Sequence, residues 1–213
     1  SPGMPGRPGA PRGHRADGSR AARAGPCRRH RLPPPAAARA GSGCAGTALC
    51  IDASTNVFIT GYFFGTIDFD PGIANNSLSS AFGFDIFIAR LDASGNYTWA
   101  KKMGGSGGND IGTGIDLDAS GNVYTTGGFN GTVDFDPGAS AFNLSTAGSE
   151  DVFILKLDSM GNFVWARSFG GNNFDSANAL SVDFAGNIYT IGTFEGTADF
   201  NPGPGVSTIT SSG

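Results

Sequence analysis

Hydrophobic positions from residue 46 onward come in short runs that are rich in β-branched and aromatic residues. Three of these runs, VFITG at 57–61, VYTTG at 123–127 and IYTIG at 188–192, each follow a turn that begins with Asp and ends with Asn. Runs of this kind, bounded by Gly, Asn, Asp and Pro, are typical of β-strands. No segment after residue 46 shows a helical period with caps. The pattern therefore predicts an all-β chain.

The strand predicted at 151–158 is apolar on both of its faces. Phe153, Leu155 and Leu157 point one way, and Val152 and Ile154 point the other. A strand that is apolar on both sides has to be covered on both sides. Four-stranded sheets stacked face to face around an axis supply that cover, so we predict β-propeller blades. A β-solenoid and an array of β-sandwiches are the alternatives.

The chain repeats itself at intervals of 66 and 65 residues. GYFFGTIDFDPG at 61–72 returns as GGFNGTVDFDPG at 127–138 and as GTFEGTADFNPG at 192–203. A repeat of this length indicates an array of similar structural units. We predict four or five strands in each unit, with units at 46–111, 112–176 and 177–213, the last of them partial. Since Gly213 aligns with Gly148, just before a predicted strand, we expect the chain to be a fragment of a larger protein, with further repeats of that parent chain as its partners.

The repeat resembles the bacterial β-propeller repeats known as SBBP repeats. The resemblance rests on the turn and strand D-x-x-G-N-x-Y-x-x-G, the segment GT-x-DFDPG and the strand pair D-x-F-x-x-K/R-L-D…W-A, over about residues 46–213. It implies a propeller in a large exported or surface protein of a bacterium. It does not imply one activity, because a shared fold does not define a shared function.

Charge and aromatic content divide the chain near residue 46. Residues 1–46 hold nine Arg, one Asp and no Phe, Tyr or Trp, whereas the remainder holds seventeen Asp or Glu against five Lys or Arg. A segment of Pro, Gly, Ala and Arg cannot bury enough apolar surface to fold, so we predict that residues 1–45 are disordered. This segment can be interpreted as a basic arm for nucleic acid or an anionic surface, as a linker, or as an artefact of out-of-frame translation or sequence assembly. The abrupt change inside a repeat favours the artefact. No apolar core of a signal peptide is present in it.

Residue types that catalysis commonly needs are scarce in the repeats. The two histidines, His14 and His30, lie in the basic segment, and the last cysteine is Cys50. Carboxylates are therefore the side chains left for acid–base chemistry, and the repeats contain no Ser-His-Asp set. The three cysteines show no disulfide or zinc spacing. We expect a protein that is not an enzyme.

Paired polar residues recur after one predicted strand of every unit. They are Asp68 and Asp70, Asp134 and Asp136, and Asp199 and Asn201. Two carboxylates at positions i and i+2 share one face of a strand and could hold calcium or act as a glycosidase pair. Recurrence in every unit favours a structural role, in which the carboxylates accept hydrogen bonds within the turn at Pro-Gly.

A calcium candidate lies in the second unit, where Asp116, Asp118 and Ser120 match the first three ligand positions of a calcium loop. The match fails at the twelfth position, which is Gly127 instead of Glu. The ninth position is Tyr124, where the calcium loops of some propeller blades carry Asp. The other two units begin the same segment with Cys or Ser in place of the first Asp. A plain hairpin turn without a metal is the alternative.

The repeats predict a rigid disc whose loops can display ligand contacts. We therefore expect a non-enzymatic, extracellular or cell-surface scaffold for binding or adhesion, with the location resting on the resemblance alone. A carbohydrate-active propeller enzyme that uses carboxylates, and a purely structural spacer, are the alternatives. The expected ligand is a protein or a glycan of unknown identity. The acidic repeats disfavour nucleic acid as a partner, and no apolar run is long enough to span a membrane. Trp99 and Trp165 are expected to be core residues, with sugar stacking as the alternative.

Overall fold

The computed structural model describes residues 42–212, and this part of the chain is all-β with no helix. The all-β prediction is therefore confirmed. A complete repeat contains four long strands and a small two-stranded hairpin that is inserted between the second and third of them. The first repeat consists of β1 (Gly43–Ile51), β2 (Val57–Phe64), β3 (Thr66–Asp68), β4 (Ser77–Ser79), β5 (Asp85–Leu91) and β6 (Tyr97–Gly105).

The second repeat has the same six strands, and the third has the first four of them. The second consists of β7 (Ile111–Leu117), β8 (Val123–Phe129), β9 (Thr132–Asp134), β10 (Asn143–Ser145), β11 (Asp151–Leu157) and β12 (Phe163–Gly171). The third consists of β13 (Asp175–Val182), β14 (Ile188–Phe194), β15 (Thr197–Asp199) and β16 (Thr208–Thr210). The first strands start at residues 43, 111 and 175, close to the predicted unit starts at 46, 112 and 177.

The long strands of each repeat pair in sequence order to form an antiparallel blade. Blade 1 has the order β1-β2-β5-β6, blade 2 has the order β7-β8-β11-β12, and blade 3 contains β13 and β14. In blade 2, for example, Leu155 of β11 lies opposite Thr125 of β8 and Ala166 of β12. This up-and-down connection is the one that short turns between neighbouring strands favour.

The small hairpins of blades 2 and 3 join each of these blades to the one before it. β9 pairs with the end of β6, where Val133 lies opposite Gly105. β15 pairs with the end of β12 in the same way, with Ala198 opposite Gly171. The hairpin that contains the DFDPG or DFNPG segment thus adds to the last strand of the preceding blade. The hairpin brings a repeat to six strands, above the predicted four or five, because strands of three residues are too short to show a period of their own.

Blades 1 and 2 stack face to face, as the two-sided apolar pattern predicts. β7 packs on β1 and β2, and β13 packs on β7 and β8. Ile86 and Ile88 of blade 1 and Phe153, Leu155 and Leu157 of blade 2 are fully buried in one cluster that spans the interface. These stacked antiparallel sheets are β-propeller blades.

A β-bulge in the first strand of each complete blade places a threonine against the next blade. The strand register shifts at Thr47 in β1 and at Thr113 in β7. Thr47 Oγ1 donates a hydrogen bond to the carbonyl of Gly112 at 2.5 Å, and Thr113 Oγ1 donates to the carbonyl of Ala177 at 2.5 Å. The extra residue of a bulge re-aims a side chain, and here it produces a hydrogen bond between blades.

Strand β1 begins earlier than the sequence predicts. Cys44 and Ala45 lie opposite Phe63 and Tyr62 of β2, so the prediction of disorder is wrong for the last residues of the segment 1–45. Backbone hydrogen bonds extend the strand there, although the repeat of side chains stops near Gly46. The prediction for residues 1–41 lies outside the described residues.

Candidate binding surface

The turns that begin with Asp and end with Asn are held by their own side chains. Asp118 Oδ1 accepts hydrogen bonds from the backbone N–H of Ser120 at 2.9 Å and of Asn122 at 3.0 Å, while Oδ2 accepts one from Asn122 Nδ2 at 2.7 Å. The same three bonds recur at the turns that begin with Asp52, Asp92, Asp158 and Asp183. Such bonds replace the backbone partners that a tight turn lacks.

Asp118 has further partners on its second carboxylate oxygen. Oδ2 accepts a hydrogen bond from the Tyr124 hydroxyl at 3.1 Å and lies 3.4 Å from Lys156 Nζ. Burial acts to raise the pKa of the Asp118 carboxyl, but the hydrogen bonds from Asn122, Ser120 and Tyr124 hold that pKa below its usual value. The carboxylate is therefore ionised, with partners in its own hairpin and on the neighbouring strand β11.

Asp116, the first residue of the calcium candidate, takes part in the interface between blades. Its Oδ2 accepts hydrogen bonds from the Val182 N–H at 2.9 Å and from Ser181 Oγ at 3.2 Å. Within residues 42–212, no group of three or more His, Cys, Asp or Glu could hold a metal ion. Calcium binding by Asp116, Asp118 and Ser120 stays a prediction, which thermal unfolding with and without calcium would test.

The acidic pairs of the DFDPG segments make the hydrogen bonds that a structural role requires. Asp68 Oδ1 accepts bonds from the backbone N–H of Asp70 and of Asn76, both at 3.0 Å, and Asp70 Oδ1 accepts one from Gly72 at 2.7 Å. The equivalent bonds recur at Asp134, Asp136, Asp199 and Asn201. These side chains close a turn in every repeat, which supports the structural interpretation over calcium binding or catalysis.

Trp99 lies in the core, as expected. It is 9% exposed, its ring centroid lies 6.1 Å from that of Phe58, and its indole N–H donates to the carbonyl of Ser159 at 3.4 Å. Trp165 is half-buried, with its ring centroid 6.2 Å from that of Tyr124. The burial of Trp99 leaves no face on which a sugar could stack.

The end of the blades opposite the Asp-to-Asn turns contains buried carboxylates whose role was not predicted from the sequence. Asp85 and Asp110 lie at the junction of blades 1 and 2, and Asp151 and Asp175 lie at the next junction; none of the four is more than 3% exposed. In the sequence, the feature that could have identified these carboxylates is their recurrence at the interval of the repeat. Recurrence alone could not show that a neighbouring blade buries them.

Asp110 is the most strongly perturbed of these carboxylates. Oδ1 accepts a hydrogen bond from the Asn130 N–H at 3.1 Å, whereas Oδ2 has no partner among the described residues. Burial raises the pKa of the Asp110 carboxyl to about 7, and the nearby charges of Asp85 and Glu150 act in the same direction. Burial likewise raises the pKa of Asp85, against the opposing effect of the Ala81 N–H, which donates to Asp85 Oδ2 at 2.9 Å.

A cluster of aromatic side chains lies at this same end of blade 1. We call Tyr62, Phe64, Phe82 and Phe84 the aromatic patch. The ring centroid of Phe84 lies 4.9 Å from that of Tyr62 and 5.5 Å from that of Phe64. Phe82 is 62% exposed and Phe64 is 38% exposed. Three of the four rings, together with Asn109, line a shallow depression of about 400 Å³.

The aromatic patch does not recur in the other repeats. The equivalent positions of the second repeat hold Gly128, Asn130, Gly148 and Glu150, and the first two positions in the third repeat hold Thr193 and Glu195. Features that the fold requires, such as the small hairpins and the closed turns, appear in every repeat. The fold therefore does not require the patch, and exposed apolar patches often mark sites of interaction.

The fold and this surface define the chain as a repeat protein built from β-propeller blades. No family model matches it. It is similar to an uncharacterized WD repeat-containing protein, L264, of Acanthamoeba polyphaga mimivirus, with 26% identity over 155 residues. The match covers 68% of this chain and 11% of the relative, so the chain spans about a tenth of the length of that curated protein. The similarity supports a repeated β-structure. No helix within residues 42–212 is long and apolar enough to cross a membrane.

Proposed function

We propose that the chain is a non-enzymatic binding module in which the stacked blades hold the aromatic patch in a fixed position for a ligand. The observation that carries this proposal is the gathering of four aromatic side chains at the surface of one repeat, where the next repeat has Gly, Asn, Gly and Glu. Aromatic rings supply a large and rigid contact area. The similarity to a WD repeat-containing protein is consistent with a binding or scaffold role.

The chemistry of the patch fits a glycan or a protein with an exposed apolar face. Ser80 and Asn109 lie beside the rings, and hydroxyl and amide groups next to an apolar surface fix the orientation of a ligand. The acidic repeats favour a ligand that is not a polyanion. The resemblance to SBBP repeats supports an extracellular or cell-surface location, which cell fractionation would test.

The position of the carboxylates supports a module without catalytic activity. Asp110, whose pKa would suit a general acid, is 1% exposed, and its neighbour Asp85 is fully buried. A substrate would have to reach these carboxylates through the interface between blades 1 and 2. Hydrolysis of a polysaccharide that is lost in the variant Asp110→Asn would favour the carbohydrate-active enzyme instead.

The binding proposal is tested by giving the patch the residues of the second repeat. The double variant Phe64→Asn, Phe82→Gly removes two rings and introduces residues that an equivalent blade already contains, so the fold should be preserved. A glycan array and a panel of purified surface proteins should each be screened with the wild type, and binding should fall about tenfold or more in the double variant. Phe174→Asn is the matched control, because Phe174 is 41% exposed outside the patch. Equal binding by the wild type and the double variant would contradict the proposal.

A further inference from the structure

The aromatic patch is hydrogen-bonded to two buried acidic residues at the junction of blades 1 and 2. We call residues 80–84, which contain two of the four rings, the patch loop, and we call Asp85 and Asp110 the carboxylate pair. The Ala81 N–H donates to Asp85 Oδ2 at 2.9 Å, and the Asp110 N–H donates to the carbonyl of Phe84 at 2.7 Å. Each member of the pair is thus joined to the patch loop by a hydrogen bond.

The patch loop also packs tightly against the segment that precedes β7. The Phe84 N–H donates to Asn109 Oδ1 at 3.2 Å. Gly83 has a φ of 61°, and a Cβ atom on it would collide with the carbonyl oxygen of Gly108. Phe84, Gly83 and Asn109 all line the depression of the patch. A movement of the segment that carries Asp110 would therefore change the shape of the patch.

The carboxylate pair lacks the partners that two buried charges require. Asp85 is fully buried and Asp110 is 1% exposed, and among the described residues Asp85 Oδ1 and Asp110 Oδ2 have no hydrogen-bond partner. Lys102 Nζ lies 3.5 Å from Asp85 Oδ2, but its side chain is 39% exposed. Glu150 adds a negative charge, whereas Asp134, at the end of β9, accepts hydrogen bonds within its own turn. Two buried charges with one exposed counterion are unfavourable, so the folded arrangement favours a proton on the pair.

The protonation of the pair changes near neutral pH. Burial and the charges of Asp85 and Glu150 raise the pKa of the Asp110 carboxyl to about 7. Below this pH the pair has one negative charge beside Lys102, and above it the pair has two. The second charge is hydrated only if water reaches the unpartnered oxygens, so we expect the patch loop to separate from Asn109 when Asp110 ionises.

We propose that protonation of the carboxylate pair switches the aromatic patch between a closed form that binds its ligand and an open form that does not. The closed form persists while the pair holds a proton, so the ligand is bound at mildly acidic pH and released as the pH rises. This switch rests on the function proposed for the patch. One proton controls it, so the closed fraction falls from about nine-tenths at about pH 6 to about one-tenth at about pH 8, and the affinity falls about tenfold.

The second junction between blades has the same carboxylates without the patch. The Ala147 N–H donates to Asp151 Oδ2 at 2.8 Å, and the Asp175 N–H donates to the carbonyl of Glu150 at 2.8 Å. Asp151 is 3% exposed, its Oδ1 has no partner among the described residues, and burial raises the pKa of its carboxyl. The equivalent loop, residues 146–150, contains no ring. Asp151→Asn is therefore a matched control for Asp110→Asn.

The first test needs no ligand and observes the rings of the patch by NMR. The ring centroids of Tyr62 and Phe84 lie 4.9 Å apart, so their protons should give nuclear Overhauser contacts at about pH 6 that are lost at about pH 8. Asp110→Asn has the shape of the protonated acid and does not ionise, so it should keep these contacts at both pH values. Asp151→Asn should behave as the wild type.

The second test measures binding with Nile red, an uncharged apolar dye. The signal of the patch is the difference between a protein with an intact patch and the same protein with Phe64→Asn and Phe82→Gly added. The affinity should be about tenfold weaker at about pH 8 than at about pH 6 in the wild type and in Asp151→Asn, and equal at the two pH values in Asp110→Asn. Tryptophan fluorescence should be the same at both pH values, because the blades stay folded.

The outcomes separate the switch from the function on which it rests. Ring contacts that persist in the wild type at about pH 8, or that are lost equally in Asp110→Asn, would overturn the switch. A loss that coincides with a change in tryptophan fluorescence, or that calcium chloride reverses, would assign the effect to unfolding or to a bound cation and would also overturn it. Patch-specific binding that does not depend on pH would overturn the switch alone. Absence of patch-specific binding would contradict the function proposed for the patch, and the ring contacts would then decide the switch.

Discussion

Replacing Asp110 with asparagine should change the way in which the stability of the protein depends on pH. Asp110 is 1% exposed, and its Oδ2 has no hydrogen-bond partner among the described residues. Burial, with the nearby charges of Asp85 and Glu150, raises the pKa of its carboxyl from 3.8 to about 7. Over the pH range between these two values, the folded protein keeps a proton that the unfolded chain has released.

The linkage between proton binding and folding gives the sign and the size of the effect. Because the folded state binds more protons in this range, the free energy of unfolding falls as the pH rises. The contribution of protonated Asp110 is fully present below the unfolded pKa of 3.8 and is lost as the pH rises through about 7. A tenfold change in proton affinity is worth about 1.4 kcal/mol, so the loss due to this residue amounts to about 4 kcal/mol. Asparagine has the same shape and does not ionise, so Asp110→Asn should remove most of this decline and stabilise the protein at pH 8.

Urea unfolding monitored by tryptophan fluorescence at several pH values between about 4 and 8 measures the effect. Asp92→Asn is the matched control. Asp92 lies in an exposed turn, where hydrogen bonds from the side chain and backbone of Asn96 lower the pKa of its carboxyl, so this variant should keep the decline of the wild type. The same decline in the wild type and in Asp110→Asn, or a wild type whose stability rises over this range, would refute the reasoning.

Three further substitutions test the packing of the blades by thermal and urea unfolding. Thr55 has a φ of 64° where the other four turns of its kind have glycine, so Thr55→Gly should stabilise the protein by about 1 kcal/mol; a lower melting temperature would contradict this. Gly127→Ala should destabilise it by about 3 kcal/mol, because the new Cβ would collide with the carbonyl oxygen of Ile111; a neutral change would mean that the two strands are farther apart. Thr113→Val should cost about 1–2 kcal/mol, because it removes the hydrogen bond to the carbonyl of Ala177 between blades; unchanged stability would show that this bond contributes nothing.

The blades could be predicted from the sequence because their signals are local and repeated. The run at 151–158 is apolar on both faces, and it is the strand β11 that two neighbouring strands and the facing blade enclose. The small hairpins were not predicted, because β9 and β15 are each three residues long and their pairing partners, β6 and β12, belong to the preceding repeat. The hydrogen bonds that hold these hairpins join strands of different repeats, so the residues of the hairpin segment alone do not predict them.

The candidate sites differ in the same way: those formed by residues close in sequence could be predicted, and those formed by contacts between strands or blades could not. The structural role of Asp68 could be predicted, since its partners Asp70 and Asn76 lie in the same turn. The perturbed Asp110 could not be recognised, because its environment is created by the stacking of blades 1 and 2. The aromatic patch required the register of β2 with β5, which brings Phe64 and Phe84 together from positions twenty residues apart.

Internal repetition offers a physical criterion for separating fold from function in this chain. Asp118 resembles a calcium ligand in sequence, yet four other turns use an aspartate with the same hydrogen bonds. A side chain that recurs with the same hydrogen bonds in every repeat has a structural role in the blade. A ligand site is therefore expected where the residues of one repeat differ from those of the others. The aromatic patch is such a change of residues. Since the patch takes no part in the closed turns, Phe64→Asn, Phe82→Gly should weaken binding of the ligand and leave the stability of the blades largely unchanged. A large loss of stability in this variant would instead mean that the substitutions act on binding through the stability of the whole stack.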